Sequence, residues 1–385
     1  MQGGSNSTLK PDPVRMANSP LDPTVPPGKA TLVSQRCVVY IAAVAAVWWP
    51  GLVRAEQDPA KIESPAAGTW LVRPDQTEPK ILEWASKYPE RVSLDAQKTL
   101  GGHTAYAVTV TDRSLDEKGK QRLLFSQPHA HEPATTAGMM DVLAALLEGQ
   151  HLDGRPTKLD RRKILGRTIL TFIPDGNPDG RARAPEDWWA GQKHSNDEFI
   201  DLAFGRTKEG RRFPRQGRWS SNDRQPALLG FVYEKINDHE YVEPNRDRQS
   251  TFFKLVRRAL DRGPVALHVD LHQTEFAGSQ YNAMVILPFL QKELPEEIRD
   301  TNRQAAEAIL DAWRRMGARP VPTAKPLGYG EEQLRYFRAC WSEIYMTVPH
   351  STVEVQNNNL RTPPAAQMQL IETSIIAAVE FVLRR

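Results

Sequence analysis

Residues 123–149 read LLFSQPHAHEPATTAGMMDVLAALLEG. A short apolar strand runs into His129, His131 and Glu132, and a helical pattern starts directly behind them. Polar residues where a strand turns toward a helix sit on the rim of a sheet, where α/β proteins gather their ligands. The alternation extends both ways. Upstream, EPKILEWASKYP sets Ile81, Leu82, Ala85 and Tyr88 at helical spacing and stops at Pro89, and TAYAVTVTD reads as a strand. Downstream, RTILTFIPDGNPDG is a strand ending in a turn-rich loop. STFFKLVRRALDRG is a helix with Ser250 as N-cap and Gly263 past its end. PVALHVDLHQTE and NAMVILPF are strands, residues 295–316 a helix with Pro in its first turn and Gly317 closing it, STVEVQ a strand, and residues 365–383 a last helix. Strands separated by helices imply one α/β domain with a largely parallel or mixed sheet covered on both faces. Residues 181–237 break the pattern and read as a long loop, functional or disordered, with Trp188 and Trp189 facing a ligand or pinning the loop to the body.

With 385 residues, 40% hydrophobic and 25% charged, the chain can bury a large core without disulfides. Its net charge of +3 is the balance of 50 basic and 47 acidic residues, which leaves no footprint for nucleic acid. Basic clusters such as RRK at 161–163 read as solvated faces. Residues 1–36 form a Pro-, Ser-, Asn- and Gly-rich extension expected to be disordered. Lys29 and Arg36 then precede an apolar run at 37–49, the length of a signal h-region and short of the roughly 20 residues that span a bilayer. With Val53 and Ala55 at cleavage-site positions, residues 37–55 read as a signal segment, 56–76 as a linker and 77–385 as the catalytic domain. The expectation is export to the periplasm or the exterior, with an uncleaved membrane anchor as the alternative. Cys340, amid RYFRACWSEIYM, reads as a buried and inert thiol.

Three strand ends carry the chemistry. His129 and Glu132 have H-x-x-E spacing, which at a turn into a helix lets both side chains meet one ion, or leaves a solvated pair. In LHVDLHQTE, His268, Asp270 and His272 share a face because side chains alternate with period two. His272 lies at the carboxyl end; His268, deeper, reads as a satisfied core histidine. Asp270 either orients a ligating imidazole or pairs with a basic side chain. In HSTVEVQ, Glu354 points away from Val353 and Val355, either toward a site, where it would be a general base, or to solvent on an edge strand.

The order H-x-x-E, NPDG (177–180), PNRD with Asn245 and Arg246, His272 and TVEV with Glu354 resembles the zinc carboxypeptidases of the carboxypeptidase A type, and the resemblance covers nearly all of the chain after Thr77. It implies a mixed, roughly eight-stranded sheet between helices and one zinc ion held by His129, Glu132 and His272. His131 would then neighbour the metal without binding it. The resemblance further implies Glu354 as the base that activates water, Asn245 and Arg246 as the pair binding a substrate's terminal carboxylate, and a tyrosine, Tyr329 or Tyr336 with Tyr329 preferred. Arg211, Arg215, Arg218 and Arg224 are all candidates for the oxyanion-stabilising arginine. The expected substrate is a peptide or a peptidoglycan-derived fragment, with membrane contact only through the signal or anchor segment. Alternatives are a desuccinylase- or aspartoacylase-like amide hydrolase acting on small N-acyl substrates, and a non-catalytic relative that binds peptides or cell-wall fragments. An amidohydrolase barrel built on HAH is disfavoured by the irregular interval and the late Glu354.

Overall fold

The computed structural model describes residues 68–185, 194–213, 217–275 and 278–385. The expected extension, the signal segment, most of the linker, Trp188, Trp189 and Arg215 lie outside the described residues.

In chain order the elements are α1 (Pro74–Lys87), β1 (Val92–Lys98), β2 (Thr104–Val110), β3 (Gln121–Ser126), α2 (Pro133–Leu147), α3 (Arg161–Arg167), β4 (Thr168–Ile173) and α4 (Pro178–Arg183). Then come α5 (Asn196–Phe204), β5 (Gly205–Thr207), β6 (Arg218–Ser220), β7 (Pro226–Leu229), β8 (Glu234–Lys235) and β9 (Glu240–Val242). The last part comprises α6 (Thr251–Leu260), β10 (Leu267–Thr274), β11 (Ala283–Ile286), α7 (Glu296–Arg315), α8 (Glu331–Tyr345), β12 (His350–Gln356) and α9 (Pro364–Arg384).

One mixed sheet, in the order β1-β2-β4-β3-β10-β12-β11, organises the chain. Seven strands are present among the described residues where roughly eight were expected. The four in the middle are parallel, and the pairs toward both edges are antiparallel. Parallel pairing needs crossovers, and α2 and α9 pack together across one face. On that side Phe125, Val269, Leu271, Val353 and Val355 meet Met139, Leu143, Ile371 and Ile375. The other face meets α6 and α8 through Phe252, Leu255, Trp341 and Tyr345. His268, Asp270 and His272 alternate with Val269 and Leu271, so they lie on this second side.

Helix α2 is buried along its whole length, which accounts for its being apolar all round. It starts directly behind Glu132, with Pro133 in its first turn. Gly138 lets α9 approach closely, since a Cβ there would lie 2.7 Å from an Ile371 methyl carbon. Ser250 caps α6 by accepting from the Phe253 N–H at 3.0 Å, and Gly317 ends α7 with φ +85°, both as read; Pro295 is the N-cap of α7 and stands just outside its first turn.

Two readings are corrected and one unassigned element is added. Residues 194–213 and 217–242 are not a structureless loop: Phe199, Phe204, Phe213, Trp219, Phe231 and Tyr233 build a small apolar cluster beneath α5 and two short sheets. The 331–345 segment forms α8, with Phe337, Cys340, Trp341, Ile344 and Tyr345 on one stripe. Arg161 of the RRK cluster is not merely solvated; its guanidinium donates to the carbonyls of Leu146 and Leu147 at the C-terminal end of α2. Cys340 is 2% exposed and burial pushes its thiol up to about 12, which fits an inert packing role.

Where α2 meets α9, the carboxylate of Asp141 accepts from the Leu152 N–H at 2.7 Å and from His151. Burial, reinforced by this neighbouring carboxylate, pushes Glu372 of α9 up to about 9 from an ordinary 4.5. Between these values the folded chain keeps a proton that the unfolded chain releases, so this group's contribution to stability falls as pH rises from about 4.5 to about 9. Glu372→Gln is expected to flatten that decline. Denaturant midpoints at pH 5 and pH 8 check it: the gap between the two should shrink in the variant.

Candidate metal centre

The parallel strands β3, β10 and β12 end side by side, with His272 directly opposite Glu354. Past β3 the chain turns through His129 to Glu132, the N-cap of α2. An N-cap carboxylate commonly accepts from the N–H groups of its own first turn, but Glu132 makes no such bond. Its oxygens instead lie 2.9 Å from His129 Nδ1 and 3.2 Å from His272 Nδ1. The two Nδ1 atoms are 3.2 Å apart. All three side chains are buried.

Four ligands at about 2.0–2.1 Å from a zinc ion in a tetrahedron are about 3.3 Å from one another. The 3.2 Å between the two Nδ1 atoms is close to one such edge, Glu132 spans the pair with Oε1 toward His129 and Oε2 toward His272, and the N, N, O donor set is one that zinc takes. The far side of each ring is also occupied. His272 Nε2 lies 2.9 Å from Asp270 Oδ2, so its N–H points there and Nδ1 is the ring nitrogen turned toward Glu132. His129 Nε2 faces Asn245 Oδ1 at 3.3 Å and Glu243 Oε1 at 3.4 Å. Arg181 of α4, directly after NPDG, donates to the His129 carbonyl at 3.3 Å.

His131 belongs to a close trio with His129 and Glu132, its Nε2 being 3.4 Å from Glu132 Oε1. It stacks on His129 and meets the edge of Phe204, whereas His272 approaches both His129 and Glu132 more closely. His272 thus completes the better triangle, with His131 on its flank.

Charge compensation follows the geometry. Against the pull of burial, Asp270 and Glu132 hold His272 well above its ordinary value, and Glu132 does the same more mildly for His129. Despite burial, the flanking imidazoles hold Glu132 far below the usual carboxylate range. Burial, with Glu132 adding to it against His272, pushes Glu354 up to about 8. A proton and a metal compete for the same imidazole lone pairs, so metal affinity must fall as pH falls.

The turn Pro244–Arg246 brings Asn245 beside His129, and Trp341 pins it by donating to the Asn245 carbonyl at 2.7 Å. Arg246, 4% exposed, lies 2.8 Å from Glu243 Oε2 and over the Phe337 ring. Tyr329 packs on that same ring, while Tyr336 lies against Gly217. Among the candidate arginines, Arg218 forks onto Asp247 at 2.9 and 3.0 Å, Arg211 is exposed beside Glu209, and Arg224 is exposed. Asp179 of NPDG accepts from Thr99, the Gly101 N–H and His103, which ties the β1–β2 hairpin to the turn. A Cβ on Gly180 would lie 2.0 Å from the Phe231 carbonyl, so only glycine fits there. Glu243 escaped the sequence reading, although it stands two residues before Asn245 as an acid with no basic residue beside it in sequence.

A family model described as Zinc carboxypeptidase matches residues 80–325. The chain belongs to the zinc carboxypeptidase family. It is a metallocarboxypeptidase that binds one zinc ion and hydrolyses peptide bonds. Similar solved structures include carboxypeptidase A from Helicoverpa armigera, with 12% identity and a TM-score of 0.54 over 89% of this chain and 78% of that one. A metallo-carboxypeptidase from Burkholderia cenocepacia matches with 14% identity and a TM-score of 0.51 over 80% and 68%. At such identities the likeness concerns the fold. No curated protein matches the chain.

Stripping this carboxypeptidase of zinc with a chelator is expected to lower its Tm, and returning zinc to restore it, because a ligand that binds only the folded state stabilises it by mass action. Glu243→Gln should weaken zinc binding by about 10-fold or more through loss of the carboxylate behind His129. Thermal unfolding reads the first, and titration against a chromophoric chelator the second.

Proposed function

We propose that this carboxypeptidase is exported, that His129, Glu132 and His272 hold its zinc, and that it releases residues from the free C-terminus of peptides with Glu354 as the general base. The observation that carries the reading is the parallel register that seats Glu354 directly beside His272 at the strand ends. Zinc, when bound, supplies the Lewis acidity that polarises a scissile carbonyl and makes water a better nucleophile. Glu354 takes a proton from the water as its oxygen attacks the carbonyl carbon. It then passes that proton to the nitrogen as the C–N bond breaks, giving an acid and an amine. A partly buried carboxyl at the strand end, beside His272, is placed for both transfers.

Asn245 and Arg246, seated together next to Glu243, are assigned to the substrate's terminal carboxylate, and Tyr329, across Phe337 from Arg246, to the same end of the substrate. Export is supported by the basic residues Lys29 and Arg36, the apolar run at 37–49 and Ala55. The substrate class is a peptide or a peptidoglycan-derived fragment.

Glu354→Gln is expected to abolish hydrolysis and leave one zinc per chain; an active variant would remove the assigned base. Among matched peptides, only those with a free C-terminus should lose single residues in a mass-spectrometric time course. Equal cleavage of C-terminally blocked peptides, or turnover of N-acyl amino acids alone, would overturn the reading.

A further inference from the structure

Behind His272 a file of buried polar side chains crosses three adjacent strands. Ser126 of β3 pairs in register with Asp270 of β10, and His268 of β10 with His350 of β12. Ser126, His268 and His350 are at most 1% exposed. Ser126 Oγ is 2.6 Å from Asp270 Oδ1 and 2.8 Å from His268 Nε2. His268 Nδ1 is 3.1 Å from His350 Nδ1, and His350 Nε2 is 3.1 Å from Thr352 Oγ1.

Counting donors leaves one arrangement of protons. A carboxylate only accepts, so Asp270 receives from His272 on one oxygen and from Ser126 on the other. The single hydroxyl proton of Ser126 is thereby spent, and its contact with His268 must be an N–H donated from Nε2. His268 Nδ1 is then a lone pair, which requires the proton on His350 Nδ1. His350 Nε2 accepts in turn from Thr352. Every bond in the file points toward Asp270. Burial keeps both core histidines neutral, with His268 down at about 4 and His350 well below its ordinary value, as two imidazoles sharing one proton require.

We infer that Ser126, His268 and His350 are positioning residues for the metal: their one-way hydrogen-bond file holds Asp270 as a double acceptor, and Asp270 holds the His272 ring with its Nδ1 lone pair toward zinc. The inference rests on the reading of His272 as a ligand. It also ties the ligand's strand to the strand of the base, since His350 and Thr352 lie on the same face of β12 as Glu354. None of the three touches substrate or metal, and their effect is exerted through Asp270.

The test uses the zinc-loaded full chain with 15N-labelled histidine. Nitrogen chemical shifts should show His268 as the neutral Nε2–H tautomer and His350 as the neutral Nδ1–H tautomer. In a chelator competition Ser126→Ala should bind zinc about 10-fold or more weakly, and Ser126→Thr, which keeps the hydroxyl, should recover most of the loss. The opposite tautomer on His268, or wild-type zinc affinity in Ser126→Ala while His272→Ala loses the metal, overturns the inference and leaves the ligand assignment standing. Full zinc affinity in His272→Ala overturns both.

Discussion

The active end of the molecule depends on register. β10 and β12 finish level with one another, β3 ends beside Asp270, and parallel strands in register bring side chains far apart in sequence to the same height above the sheet. His272 and Glu354 become neighbours without a loop having to fold to meet them. The third partner comes from the start of α2, where Glu132 forgoes helix capping and turns its carboxylate toward two imidazoles. A one-residue slip of β12 against β10 would send Glu354 to the opposite face, among the apolar side chains of α2 and α9.

Placing this much polarity inside a sheet protein is costly unless it is satisfied throughout. Here the cost is met by pairing in layers. Imidazoles face carboxylates, the carboxylates face hydroxyls and further imidazoles, and Arg246 lies against Glu243 at 2.8 Å in a nearly water-free setting. Removing a single member would leave its neighbour buried without its partner. The layers therefore specify one geometry more than they add stability.

Much of the site was readable from the chain because strands repeat every two residues. That periodicity put His268, Asp270 and His272 on one face and separated Glu354 from its valine neighbours, and the structure finds both. The helix at 331–345 was missed because charged residues interrupt an apolar stripe that only its packing against Phe252 and Phe253 makes plain. The small sheets of residues 205–242 were missed for a related reason: strands of two to four residues carry too little pattern, and they are held by aromatic contacts such as Trp219 stacked on Tyr241. Ser126 and His350 gave no signal at all. Their meaning lies in which strands are adjacent, and β3, β10 and β12 are separated by more than a hundred residues of intervening chain on one side.

Gly138 has a reach beyond its own surroundings. It lies six residues along α2 from Glu132, about 9 Å of helix rise, where the backbone rests on Ile371 with no room for another carbon. A helix transmits axial and lateral displacement as a stiff rod. Any wedge inserted between α2 and α9 would therefore be delivered to the carboxylate at the rod's tip. The lateral spacing of two helices behind the sheet thus reaches through α2 to the place where the Glu132 carboxylate meets its two imidazoles.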